Sequence, residues 1–152
     1  MEIEIRRAEP EDGRPVGDLF IAARAQMTYL PHVHTDEETR EFFARVVVVQ
    51  QETWVAESER AVAGFGALTD ELLEHLYVHP DHQGRGIGTL LLEHAKRRRP
   101  RGIKLWLFQQ NDGARRFYER HGFRLVELTD GAGNMERVPD ALYEWLPDTA
   151  AA

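Results

Sequence analysis

The sequence predicts a mixed α/β fold: a central sheet of parallel and antiparallel strands flanked by about four helices. Three observations carry this prediction. Short apolar runs with a period of two are interspersed with stretches of helical spacing. The middle of the chain is a succession of strand-like runs, whereas the second half alternates strand with helix, the order expected of a mixed sheet. The 152 residues, 42% apolar and 30% charged, suffice for one core without disulfides. The expectation is one domain over residues 1–147 and a frayed tail over 148–152.

Each element has its own signal. Ile3 and Ile5 alternate with Glu2, Glu4 and Arg6, a half-buried strand closed by Pro10 and Gly13. Val16, Leu19, Phe20, Ala23 and Met27 place a helix over residues 14–28. Residues 29–34, with Pro31 among them, read as a loop. Thr35 followed by Glu38 is a capping-box spacing that opens a second helix through Phe42, Phe43, Val46 and Val47. Residues 53–56 and 61–68 flank the polar connection 57–60, a hairpin pattern. Leu72–Val78 is a further strand, and a glycine-rich turn then leads into an amphipathic stretch with Leu90, Leu91 and Ala95. Ile103–Phe108 reads as a buried strand. Residues 111–121 form a helix, with Asn111 as its N-cap and Gly122 as its stop. Strands over 123–128 and 141–146 end the chain, joined by the turn-rich loop 129–134.

Composition removes several function classes. Lys plus Arg is 19 against 26 for Asp plus Glu, a formal net charge of −7. So acidic a chain is ill suited to general nucleic-acid binding, which works by neutralising phosphates. There is no cysteine, hence no disulfide framework, thiolate zinc site or cysteine nucleophile. The longest aliphatic run, residues 46–49, is far short of a membrane span, and the first residues carry no apolar signal segment. The expectation is a cytoplasmic protein with no nucleic-acid or membrane partner.

The chemistry-bearing segment is Val78-His79-Pro80-Asp81-His82-Gln83-Gly84-Arg85-Gly86-Ile87-Gly88-Thr89. A strand ends, glycines follow at every second position, and a helix begins. Glycines let backbone N–H groups converge with no Cβ in the way. The helix start adds its own unpaired N–H groups and the positive end of its dipole. The result is a cradle for a phosphate or pyrophosphate. The dinucleotide spacing of glycines fails because position 89 is Thr, and no Gly-Lys-Ser/Thr of a P-loop follows.

This turn, preceded by Leu76-Tyr77-Val78-His79-Pro80, resembles the acyl-CoA pyrophosphate turn of the GNAT superfamily of N-acetyltransferases. The later residues Asn111, Ala114, Tyr118, Gly122 and Phe123 are similar to that family's Asn-x-x-Ala-x-x-x-Tyr-x-x-x-Gly-Phe helix. The resemblance implies a sheet splayed open between the fourth and fifth strands. The pantetheine arm of acetyl-CoA would pair there with the backbone of Leu76, Tyr77 and Val78. The backbone of residues 83–89 would hold the diphosphate, and Asn111 would contact the pantetheine. It further implies transfer of an acetyl group from acetyl-CoA directly to an amine of a small molecule or peptide, with no metal. It allows a homodimer without requiring one. The rival readings are a non-catalytic acyl-CoA-binding sensor and an acyltransferase using another acyl-CoA or an oxygen acceptor.

The reaction makes demands on side chains. A lysine-type amine has a pKa of about 10.4, so removing its proton at pH 7 costs roughly 4–5 kcal/mol. A base, or a water path to one, is required. The carboxylate that some relatives carry on the fifth strand is absent, because Trp106 occupies that position. Glu74 and His75 on the fourth strand remain, with Glu71 at its start. Strand alternation predicts that only one of Glu74 and His75 enters the cleft, and Glu74 is the choice. Tyr118, seven residues after Asn111 and so on the same helix face, is the candidate partner of the leaving sulfur. The other features take plainer readings. His32 and His34 belong to an acceptor-side loop rather than a metal pair. The basic run 96–101 suits a helix C-terminus, Arg115 and Arg116 are solvated helix residues before they are ligands of the CoA 3′-phosphate, and Asn134 and Glu136 border the acceptor pocket.

Overall fold

The computed structural model describes residues 2–147; the expected tail at 148–152 lies outside them. In chain order the elements are β1 (Glu4–Arg7), α1 (Gly13–Arg24), α2 (Asp36–Phe42), a π turn (Phe43–Val47), α3 (Val48–Gln50), β2 (Glu52–Ser58), β3 (Ala61–Thr69), β4 (Leu72–Val78), α4 (Ile87–Arg98), β5 (Ile103–Phe108), α5 (Asp112–Arg120), β6 (Arg124–Leu128) and β7 (Asp140–Trp145). The seven strands form one mixed sheet in the order β1-β2-β3-β4-β5-β7-β6. β1 to β4 pair antiparallel, β4 and β5 are parallel, and β7 runs antiparallel between β5 and β6.

Two apolar layers cover the two faces. Leu91, Leu92 and Ala95 of α4 and Tyr118 of α5 pack with Trp54, Leu105 and Tyr143 on one face. Val16 and Leu19 of α1 pack with Phe43, Val47, Val55 and Phe65 on the other. The neighbours Trp54 and Val55 thus take opposite faces, as a strand's period of two requires.

Local chemistry sets the ends of the helices. The Thr35 hydroxyl accepts from the Glu38 N–H at 3.1 Å, and the Glu38 carboxylate accepts from the Thr35 N–H at 2.8 Å. That is the expected capping box. α1, expected to reach residue 28, stops at Arg24. The backbone then tightens into three-residue turns, with Gln26 N–H donating to Ala23 O at 3.2 Å and Met27 N–H to Arg24 O at 2.9 Å. Met27 is thereby released from the helix toward the cleft described next.

Candidate active site

β4 and β5 carry a single registered pair, Leu72 with Lys104, and one further bond from Lys104 N–H to Glu71 O at 2.9 Å. Beyond it the ladder ends, leaving the β5-facing edge of Leu76, Tyr77 and Val78 without a strand partner. This is the expected splay. Two adjoining chambers of about 260 and 610 Å³ occupy it. Both are lined by Met27, Leu76, Tyr77, Asn111, Ala114 and Tyr118. The larger one continues to Gln83 and Gly88. The smaller one continues to Arg24, Glu74, His75, Phe108 and Glu136.

At the far end of the larger chamber, the turn has the backbone a phosphate cradle needs. Gly84 and Gly86 sit at φ +81° and +80°, and an added Cβ on either would meet nothing within 4 Å. Their backbone conformation, not crowding, is what calls for glycine. Gly86 is the N-cap of α4, with no side-chain cap on its free N–H groups. A Cβ on Gly88 would stand 3.4 Å from the Phe117 ring, so α5 buttresses the turn. Ile87 is buried and anchors the helix start in the core, while Arg85 is exposed. The Thr89 hydroxyl lies 3.4 Å from His121 Nε2. The Gln83 amide donates to Val78 O at 3.3 Å and to Gln26 Oε1 at 3.0 Å, tying the turn to β4 and to the end of α1. That side-chain role had no signal in the sequence. An open anion cradle, a free strand edge and a chamber between them fit a diphosphate linked to an extended, amide-bearing arm.

Asn111 caps α5: its side-chain oxygen accepts from Ala114 N–H at 3.1 Å. Tyr118 is buried at the junction of the chambers, its ring 5.2 Å from Phe117 and 5.3 Å from Phe123. Its hydroxyl has no hydrogen-bond partner among the described residues, and burial raises its pKa above the ordinary phenol value. It is a neutral donor aimed at no protein group.

The alternation expected on β4 fails. Ala67 pairs with His75 and Leu68 with Leu73, so Glu74 has no partner on β3 and forms a bulge. Leu73 packs with the α4 layer, whereas His75 turns to the α1 side among Phe20, Phe43, Phe65 and Tyr77. A bulge breaks the period of two and re-aims side chains. Glu74 and His75 therefore both line the smaller chamber. Glu74 is exposed; His75 is almost enclosed, and burial, aided by the Arg24 cation, pulls its pKa down to about 4.

Arg24 was not singled out by the sequence. Its guanidinium lies 5.0 Å from the centre of Phe20 and 5.5 Å from that of Phe108 and pairs with Glu136 at 3.0 Å. Asn134, also in the lining, donates to Val138 O at 2.7 Å and to Asp140 at 3.1 Å and fixes the loop that carries Glu136. His34 Nε2 lies 3.0 Å from Met135 Sδ, so the α1–α2 loop as well as the end of α1 touches the β6–β7 loop. Arg115, half-exposed on α5, donates to the Tyr143 hydroxyl at 3.0 Å, which donates to Glu119 at 2.8 Å. Among the described residues no helix is long and apolar enough to cross a membrane, and no group of three or more metal-ligating side chains could hold a metal ion.

The sequence model of the family described as "Acetyltransferase (GNAT) domain" matches residues 50–125. The chain belongs to this family. As a GNAT protein it is 31% identical over 130 residues to the peptidyl-lysine N-acetyltransferase YjaB of Salmonella typhimurium, covering 83% of this chain and 86% of that one. A stretch of 63 residues is 43% identical to an uncharacterized N-acetyltransferase of Methanocaldococcus jannaschii, spanning 39% of this chain and 28% of that protein. The apo solution structure of Escherichia coli YjaB superposes with a TM-score of 0.78 at 26% identity, covering 97% of this chain and 99% of that one. YncA of Salmonella typhimurium, solved with acetyl-CoA, gives 0.72 at 20% identity over 100% and 98% of the two chains, a likeness of fold. The protein is a GNAT-type, acetyl-CoA-dependent N-acetyltransferase.

Proposed function

We propose that this enzyme acetylates the side-chain amine of lysine in a peptide, with the larger chamber holding coenzyme A and the smaller one the amine. The observation that carries the reading is the junction of the two chambers at Tyr118. The lysine acceptor is supported by the relative YjaB, a peptidyl-lysine N-acetyltransferase. The smaller chamber is lined by the apolar and aromatic groups Phe20, Leu105, Leu107 and Phe108, suited to an alkyl stem.

The roles follow from the geometry. Backbone N–H groups of residues 83–89 hold the diphosphate. The free edge of Leu76, Tyr77 and Val78 and the side-chain amide of Asn111 hold the pantetheine. In the net reaction the neutral amine forms a C–N bond to the acetyl carbonyl carbon, the C–S bond breaks, and the amine nitrogen loses one proton. Glu74, exposed at the bulge, takes that proton and returns it to solvent. The Tyr118 hydroxyl donates a hydrogen bond to the departing sulfur. Complete transfer of its proton runs uphill, because a thiol titrates at about 8.5 and this phenol above its ordinary value of about 10. The thiolate leaves hydrogen-bonded and takes its proton from solvent. The reading treats residues 1–147 as one catalytic domain. The lack of cysteine supports a cytoplasmic site of action.

The test is release of free CoA thiol from acetyl-CoA against lysine-containing peptides, with mass spectrometry of the product. Acetylation on the lysine side chain is expected. Tight CoA binding with no turnover on any amine would favour the sensor reading instead.

A further inference from the structure

The roles above leave the His75 side chain in the smaller chamber unused. Four aromatic groups surround its ring: Phe43 at 5.1 Å between centroids, Phe20 at 5.7 Å, Phe65 at 6.0 Å and Tyr77 at 6.3 Å. The surface it retains lines the chamber. A neutral imidazole has one N–H donor and one acceptor nitrogen. Here neither has a hydrogen-bond partner among the described residues. Enclosed polar groups are nearly always paired, so an unpaired one on a cavity wall points to a ligand.

We propose that the His75 imidazole receives the acceptor's amine: its unprotonated ring nitrogen accepts an amine N–H and thereby turns the nitrogen lone pair toward the thioester. The inference rests on the amine-acceptor reading above. Three features of the chamber favour the neutral amine over the ammonium. Burial and the Arg24 cation keep the imidazole itself uncharged at physiological pH. The faces of Phe20 and Phe108, which would otherwise welcome an ammonium, are taken by the Arg24 guanidinium. The nearby carboxylate of Glu136 is already paired to Arg24 at 3.0 Å. Glu74 remains as the exposed carboxylate that takes the proton. The bulge at Glu74 is what brings both residues to the chamber: an unbroken strand would put Leu73 and His75 on one face, whereas here Leu73 packs with the α4 layer and His75 with Phe20 on the α1 side.

Two substitutions separate this role from space filling. His75→Phe keeps an aromatic ring among aromatic rings, and His75→Gln supplies an acceptor that does not titrate. With acetyl-CoA and a lysine peptide, His75→Phe is expected to lose ten-fold or more in kcat, with the KM for acetyl-CoA within two-fold of the parent. His75→Gln is expected to recover to within about three-fold of the parent. A Phe variant as active as the parent, or a Gln variant as impaired as the Phe variant, would overturn the proposal. A parent enzyme that fails on the lysine peptide would instead strike the acceptor class. Nitrogen NMR of the labelled imidazole then decides separately. With CoA bound, n-butylamine at pH 9 is expected to move the acceptor nitrogen of His75 upfield. A signal that stays in place excludes the contact whatever the turnover.

Discussion

Tyr118 and His75 are both enclosed polar groups without hydrogen-bond partners among the described residues, and burial moves their titration in opposite senses. Burial disfavours the charged form, so the phenol rises and the imidazole falls. For Tyr118 the consequence is kinetic. Tyr118→Phe would remove the proposed hydrogen bond to the leaving sulfur and should cut kcat ten-fold or more, while calorimetry should find the CoA affinity within two-fold of the parent. For His75 the consequence includes stability. The unfolded imidazole binds a proton near pH 6.5 and the folded one only near pH 4, so folding loses stability as pH falls through this window. The full loss, complete below pH 4, is about 3 kcal/mol, since each tenfold change in proton affinity is worth roughly 1.4 kcal/mol. Urea denaturation at pH 7 and pH 4.5 should show His75→Phe losing less stability than the parent over that interval. Equal losses would contradict the account. Glu74→Gln should leave turnover dependent on amine that arrives already neutral, with the rate still rising toward the amine's own pKa of about 10.4. An unchanged pH profile would remove Glu74 as the proton acceptor. At this scale the sequence was informative about Asn111 and Tyr118, because seven residues along a helix return to one face. It placed Glu74 in the cleft but wrongly excluded His75, because a bulge is a register event between two strands and leaves no local mark.

At the scale of elements, the turn between β4 and α4 was legible because its glycines have a local cause. Gly86 occupies left-handed backbone at φ +80° with open space where a side chain would stand. Gly86→Ala should therefore cost about 1–2 kcal/mol through conformation alone and weaken CoA binding. Gly86→Asn, which tolerates that conformation better, should cost less by thermal denaturation. The reverse order would indicate that space, not conformation, selects glycine. The capping box at Thr35 and Glu38 was legible for the same reason, since both partners lie within one turn. The contact of α1 with the β6–β7 loop was not. Arg24 and Glu136 are 112 positions apart and meet only because the sheet brings the end of α1 beside the loop before β7. Glu136→Gln should leave the KM for acetyl-CoA unchanged and raise the KM for the lysine peptide about three-fold or more. Equal changes in both would separate Glu136 from the acceptor chamber.

For the whole molecule, function follows from one interruption in a seven-stranded sheet. β4 and β5 pair once and then part, and α4 and α5 begin beside the opening, one with the glycine turn proposed to hold the diphosphate and the other with Asn111 and Tyr118. The order of strands and helices was readable from periodicity. The place of the splay was not, because pairing between parallel strands is absent from local pattern, and only the resemblance located it. The central claim is that the amides of residues 83–89 grip a diphosphate while the arm lies along β4. Isothermal titration calorimetry with CoA and, separately, with pantetheine, which has the arm but no diphosphate, tests it most directly. The account predicts one CoA per chain and pantetheine binding at least 100-fold weaker; equal affinities, or no heat with millimolar CoA, would contradict it.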